Sequence, residues 1–121
     1  MSSLGTIVWH DLTVDNAPQI RDFYASVVGW QADACNMGDY DDYVMLSPLN
    51  EGATGICHAR GENANIPPQW LMYVTVANVA QSIEQCLALG GSVVDGPRAM
   101  GKQQFCVIRD PAGAVIAIIG E

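Results

Sequence analysis

The chain repeats itself at a spacing of 62 residues: Leu12-Thr13-Val14-Asp15-Asn16 returns as Val74-Thr75-Val76-Ala77-Asn78, and Gly29 returns as Gly91. Each copy opens with a strand-like run, Ile7–Val14 in the first and Trp70–Val76 in the second. An Asn follows in helix-capping position, Asn16 with Pro18 in the first turn and Asn78 in the repeat. Apolar residues then recur at helical spacing, Ile20, Phe23, Tyr24 and Val27 in one copy and Ile83, Cys86 and Leu87 in the other. Gly29 and Gly90-Gly91 supply the stops. A chain of 121 residues built this way is two copies of one unit of about sixty.

Three further strand-like stretches follow each helix. In the first copy they are 30–37, 43–47 and 54–60, separated by Gly38-Asp39 and Asn50-Glu51-Gly52. In the second they are 92–95, 104–109 and 114–120, separated by Gly96-Pro97 and Asp110-Pro111-Ala112-Gly113, all strong turn chemistry. Residues 61–68 are polar, Pro-containing and aperiodic. The expected fold is α+β, a single domain over residues 1–121. Its two tandem βαβββ modules cover 5–61 and 69–121, joined by the linker 61–68, in a curved, incompletely closed sheet around a cavity. Strand parity sorts the side chains. Leu12 and Val14, and in the repeat Met72, Val74 and Val76, should pack the helices. Trp9, Asp11 and Thr13, with Leu71, Tyr73 and Thr75, should face the cavity.

Thirteen acids against five Lys and Arg give a net charge of −8, nine of the acids and two of the bases lying in residues 1–62. Nucleic acid and anionic membrane surfaces are disfavoured as partners. The N-terminus shows no signal-peptide pattern and no apolar run is long enough to span a bilayer, so the expected location is cytoplasmic. Cys35, Cys57, Cys86 and Cys106 are widely spaced, without CxxC, and read as reduced thiols. The acidic stretch Asp39-Tyr40-Asp41-Asp42-Tyr43 reads as a solvated hairpin loop, with a cation-attracting cavity rim as the alternative.

Trp9-His10-Asp11-Leu12-Thr13-Val14, Phe23-Tyr24, Val28-Gly29-Trp30, Leu89-Gly90-Gly91 and Asp110-Pro111-Ala112-Gly113-Ala114 stand in an order and spacing that resembles the vicinal oxygen chelate superfamily. That superfamily includes glyoxalase I, extradiol dioxygenases and bleomycin-resistance proteins. The resemblance implies paired βαβββ modules, a homodimer, with modules sometimes exchanged between chains, and in catalytic members a divalent metal in the cavity. The metal ligands it implies are a His on the first strand of each module and a Glu on the last. Here Trp9 and Leu71 fall at the His positions and Ala117 at one Glu position, with Ile56 near the other. Indole, isobutyl and methyl groups ligate no divalent metal. His10 reads as a partly buried core-edge histidine. His58, two residues beyond Ile56, shares that residue's parity and is a candidate for ligand contact. Asp11 with His58 leaves a metal at a shifted site open.

The expected function is a small-molecule binding protein of the glyoxalase/bleomycin-resistance type, without a cofactor, sequestering a cationic or aromatic compound. The candidate ligand-binding residues are Trp9, Asp11, Thr13, His58, Leu71, Tyr73, Thr75 and Ala117. Apolar walls supply area and the few polar groups orientation, with Trp9 and Tyr73 placed to stack on a planar or cationic ligand. Two alternatives stay open: a metal-dependent lyase or dioxygenase with shifted ligands, and metal-free acid–base catalysis by Asp11, His58 or Tyr73.

Overall fold

In a computed structural model, residues 4–49 and 51–121 are described. The described elements, in chain order, are β1 (Ile7–Val14), α1 (Ala17–Val28), β2 (Gln31–Asn36), β3 (Asp41–Leu46), β4 (Gly52–His58), a short 3-10 turn (Gly61–Asn63), β5 (Trp70–Thr75), α2 (Val79–Ala88), β6 (Ser92–Met100), β7 (Gln103–Arg109) and β8 (Val115–Gly120). This is the α+β arrangement of two βαβββ modules. The chain divides into two compact units, His10–Trp70 and a second that joins Leu71–Glu121 to the residues up to Trp9. The cut falls inside β1 because the chain just before it belongs to the second unit: the Gly5 amide donates to the Thr75 carbonyl at 2.8 Å and the Thr75 amide to the Thr6 carbonyl at 3.0 Å.

Both helices start as the repeat predicts. The Asn16 side chain accepts the Gln19 amide and Asn78 accepts the Gln81 amide, so cap and partner both keep the repeat spacing. The helix ends do not. Gly29 takes the left-handed conformation after α1, but after α2 that role falls to Gly90. Gly91 is required for a different reason: a Cβ there would lie 2.5 Å from Cys86 Sγ and 2.7 Å from the Arg109 carbonyl.

In the first unit the strand order is β2-β3-β4-β1, with β1 parallel to β4 and the other pairs antiparallel. Register places Ala34, Tyr43, Ile56 and Leu12 in one row across the sheet. That row faces α1, where Ala17, Tyr43, Met45 and Ile56 form a buried cluster covered by Val14, Ile20, Tyr24 and Trp30. Met45 and Ile56 are fully buried, each contributing about 1.5–3 kcal/mol relative to exposure. Leu12 and Val14 thus face the helix as parity requires.

In the second unit the order is β5-β8-β7-β6, with β5 parallel to β8. Val76, Ile83 and Ile108 pack on Val79, Cys106 and Ile118 at the helix-facing side. The opposite parity, Tyr73, Phe105, Val107, Ala117 and Ile119, is buried as well. The Tyr73 and Phe105 rings stack with centroids 5.6 Å apart, and the Arg98 guanidinium lies over Phe105 while pairing with Asp95. The strand expected to stop before Gly96-Pro97 instead runs on to Met100, its register shifting between Val93 and Asp95 and between Asp95 and Arg98. Proline lacks an amide proton, and an irregular edge strand absorbs that loss where a regular ladder would not. The β6–β7 hairpin turns instead at Gly101-Lys102, between the paired residues Met100 and Gln103.

Candidate functional site

The helix-free face of the first module's sheet gathers a set of polar side chains. Cross-strand register places Asp33, Val44, Gly55 and Asp11 in one row, with Cys35, Asp42, Cys57 and Thr13 in the next. Three carboxylates, two thiols and a hydroxyl therefore occupy one parity of a four-stranded sheet, and no Lys or Arg stands in either row. Desolvation, and after it the negative charges of Asp11 and Asp42, pushes the Cys57 thiol up to about 12. Burial would oppose a charge of either sign here, and the part of the shift that depends on sign is the negative field of Asp11 and Asp42.

Asp42 is buried and holds the end of the site together. Its Oδ1 accepts the His58 backbone amide at 2.9 Å and faces the His58 ring Nδ1 at 3.3 Å. With Nδ1 turned to this carboxylate, Nε2 is the ring's remaining polar atom. The Tyr40 ring stands edge-on to His58 at 5.0 Å, and the Arg60 guanidinium lies over Tyr40 at 4.1 Å. The loop read as Asp39–Tyr43 is thus shorter than expected: β3 begins at Asp41. Asp42 is drawn inward because the His58 amide satisfies it, and Tyr43 because it packs under α1.

Several expected placements change. Ile56 stands in register with Leu12, so it faces α1 and not the cavity parity; the β4 residues on the Asp11 face are Gly55 and Cys57. One residue of register separates Ile56 from Gly55 and Cys57, and a one-residue step along a strand moves a side chain to the other face. His58 pairs with Val14, so its register is that of the helix-facing residues and not that of Asp11 and Thr13, while at the strand end its ring reaches the Asp42 carboxylate. His10 is exposed, not partly buried. The Thr54 hydroxyl gives its proton to the His10 carbonyl at 2.7 Å and so accepts from His10 Nδ1 at 3.0 Å.

Of the remaining candidates, Thr13 is buried in the first module, as are Leu71, Tyr73 and Ala117 in the second, while Thr75 is half-buried there. Asp11 is half-buried and Trp9, grouped with the second unit, is exposed. Sequence reasoning missed Asp33, Asp42 and Cys57. Alternation along 31–36 and 41–46 carries the signal, but the acidic run Asp39–Asp42 has the composition of a loop although β3 already begins at Asp41.

At the positions where the family resemblance implies metal ligands, Trp9, Leu71 and Ala117 offer no donor atoms, and correcting Ile56 to its neighbours adds only the Cys57 thiol. Among the described residues no three His, Cys, Asp or Glu side chains come together in a group able to hold a metal ion. The residues present do not fit a divalent ion.

The sequence profile of the glyoxalase-like domain matches residues 8–119. No curated protein matches the chain by sequence. Among solved structures the chain is similar to a glyoxalase/bleomycin resistance protein/dioxygenase superfamily member from Vibrio splendidus 12B01, with TM-score 0.59, 10% identity and coverage of 96% of this chain and 100% of the other. It is also similar to methylmalonyl-CoA epimerase from Mycobacterium tuberculosis, with TM-score 0.55, 13% identity and coverage of 99% and 91%. A single-residue variant of the Streptomyces coelicolor methylmalonyl-CoA epimerase, in complex with 2-nitronate-propionyl-CoA, gives TM-score 0.51, 13% identity and coverage of 98% and 99%. At such identities the likeness is one of fold. No described helix is long and apolar enough to cross a membrane.

Proposed function

The chain belongs to the glyoxalase-like domain family, and from that premise we propose that it binds and sequesters a small organic cation on the helix-free face of its first module. The observation that carries this reading is the pair of rows bearing Asp11, Asp33 and Asp42 with no basic residue among them. A quaternary ammonium or protonated amine gains Coulomb attraction there, where an anion would meet repulsion from the same carboxylates. Thr13 and Cys57 add polar and polarisable surface between the carboxylates. Nothing in the described donor set favours the metal-dependent alternative.

Titration of benzyltrimethylammonium by calorimetry tests the proposal. One-to-one binding is expected, weakened about tenfold by Asp11→Asn or Asp33→Asn, equivalent to ~1.4 kcal/mol. The uncharged carbon isostere should not bind at this face. Equal affinity for cation and isostere, or binding indifferent to both substitutions, would overturn it.

We also propose that the protein works as a homodimer in the cytoplasm. The exposed apolar run Ile7-Val8-Trp9 supports the first part and the four free thiols the second.

A further inference from the structure

On the opposite, helix-bearing side of the first module lies a pocket of about 360 Å³, lined by Leu12 and Val14 of β1, Ile20, Phe23 and Tyr24 of α1, and Pro68, Gln69 and Trp70 of the segment leading into β5. Its size is at the small end of the ~300–1,000 Å³ range of ligand clefts. In a chain of net charge −8, no charged side chain lines it. No basic side chain lines it to hold an anion and no carboxylate lines it to draw in a cation, so an uncharged occupant fits its lining best.

The aromatic side chains give the pocket its shape. Phe23 stands edge-on to Tyr24 at 5.0 Å and Trp70 edge-on to Tyr24 at 5.2 Å, with Trp30 behind at 6.0 Å from Trp70. The Trp70 indole N–H donates to the Tyr24 hydroxyl at 3.1 Å, tying the inter-module segment to α1 across the pocket. Having accepted that bond, the tyrosine hydroxyl keeps its own proton to donate. Phe23, half-exposed, keeps part of its ring open to solvent where it lines the pocket. Flat aromatic ligands match such edge-to-face walls, and one acceptor atom matches the hydroxyl.

We propose that this pocket is a second ligand site, for a small neutral aromatic molecule carrying one hydrogen-bond acceptor, separate in position and in charge preference from the acidic face. The Trp70–Tyr24 bond already holds the segment 68–70 against α1 at the pocket wall.

Acetylnaphthalene, neutral and with a single carbonyl acceptor, is a direct probe. Titration into nitrogen-15-labelled protein should move the Trp70 indole N–H resonance saturably, at one ligand per chain, and quench tryptophan emission in parallel. Phe23→Ala removes a half-exposed ring and should weaken binding about tenfold, the scale of one aromatic contact together with its buried area. Ile20→Trp fills the pocket and should abolish binding. Val27→Ser, on exposed α1 surface outside the pocket, should leave it unchanged. Circular dichroism establishes that each variant is folded. No saturable movement of the Trp70 resonance, or equal weakening by Val27→Ser and Phe23→Ala, would overturn the proposal.

Discussion

Two cysteines on one sheet face have opposite surroundings, and the difference is testable. Cys35 lies exposed on the edge strand β2, whereas Cys57 is held protonated by burial and by Asp11 and Asp42. Burial, with Asp95 adding to it, likewise pushes the Cys106 thiol up to about 11. Thiolate is the alkylated species. Iodoacetamide at a pH of about 8 should therefore modify Cys35 in the native protein, and Cys57 and Cys106 only after unfolding, as read by peptide mass spectrometry. Native Cys57 reacting as fast as Cys35 would remove the case for a negative, desolvated face. The same shift has a stability consequence. An unfolded Cys57 ionises near 9.0 and the folded one near 12, so as pH rises through this window the unfolded chain sheds its proton first. The contribution is fully present below pH 9.0 and is lost towards 12. Urea midpoints of wild type and Cys57→Ala should consequently converge between neutral pH and pH ~10.

At the scale of elements, the repeat predicts equal effects from unequal positions. Asn16 and Asn78 make the same cap bond three residues ahead, so each Asn→Ala should cost about 1 kcal/mol in urea unfolding, and each Asn→Gly only a few tenths. A much larger loss at one cap would mean that side chain does more than cap. Gly120→Ala should be far worse, because a Cβ there would sit 2.1 Å from the Val76 carbonyl oxygen, a backbone atom that cannot swing aside. Strands and caps were legible because Asn, Gly and alternating apolar residues act locally. What lay hidden was set by pairing across the sheet. The bulges that carry β6 through Gly96-Pro97 depend on its partner β7. The face of Ile56 follows from its register with Leu12, and the inward turn of Asp42 from a backbone amide sixteen residues away. The site suffered most, since Asp33, Asp42 and Cys57 join Asp11 only once four strands are in register.

For the molecule as a whole, charge and apolar surface pull association in different directions. Ile7, Val8 and Trp9 are 54%, 50% and 38% exposed. Successive strand residues point to opposite faces, so their partial exposure leaves apolar area open on both sides of this stretch. Such a contiguous apolar run is the kind of surface a second copy would bury. Yet every copy carries eight net negative charges, which repel at long range and are screened over ~8 Å at physiological salt. Added salt should therefore tighten self-association while it weakens capture of a cation by the acidic face. Light scattering after size exclusion should show a dimer at moderate salt, with dissociation favoured as ionic strength falls. Val8→Asp adds charge to the apolar run and should yield a folded monomer under conditions where the wild type pairs. A Val8→Asp protein that remains dimeric would place the interface elsewhere, and a salt response of the same sign for dimerisation and cation binding would mean that one attraction governs both.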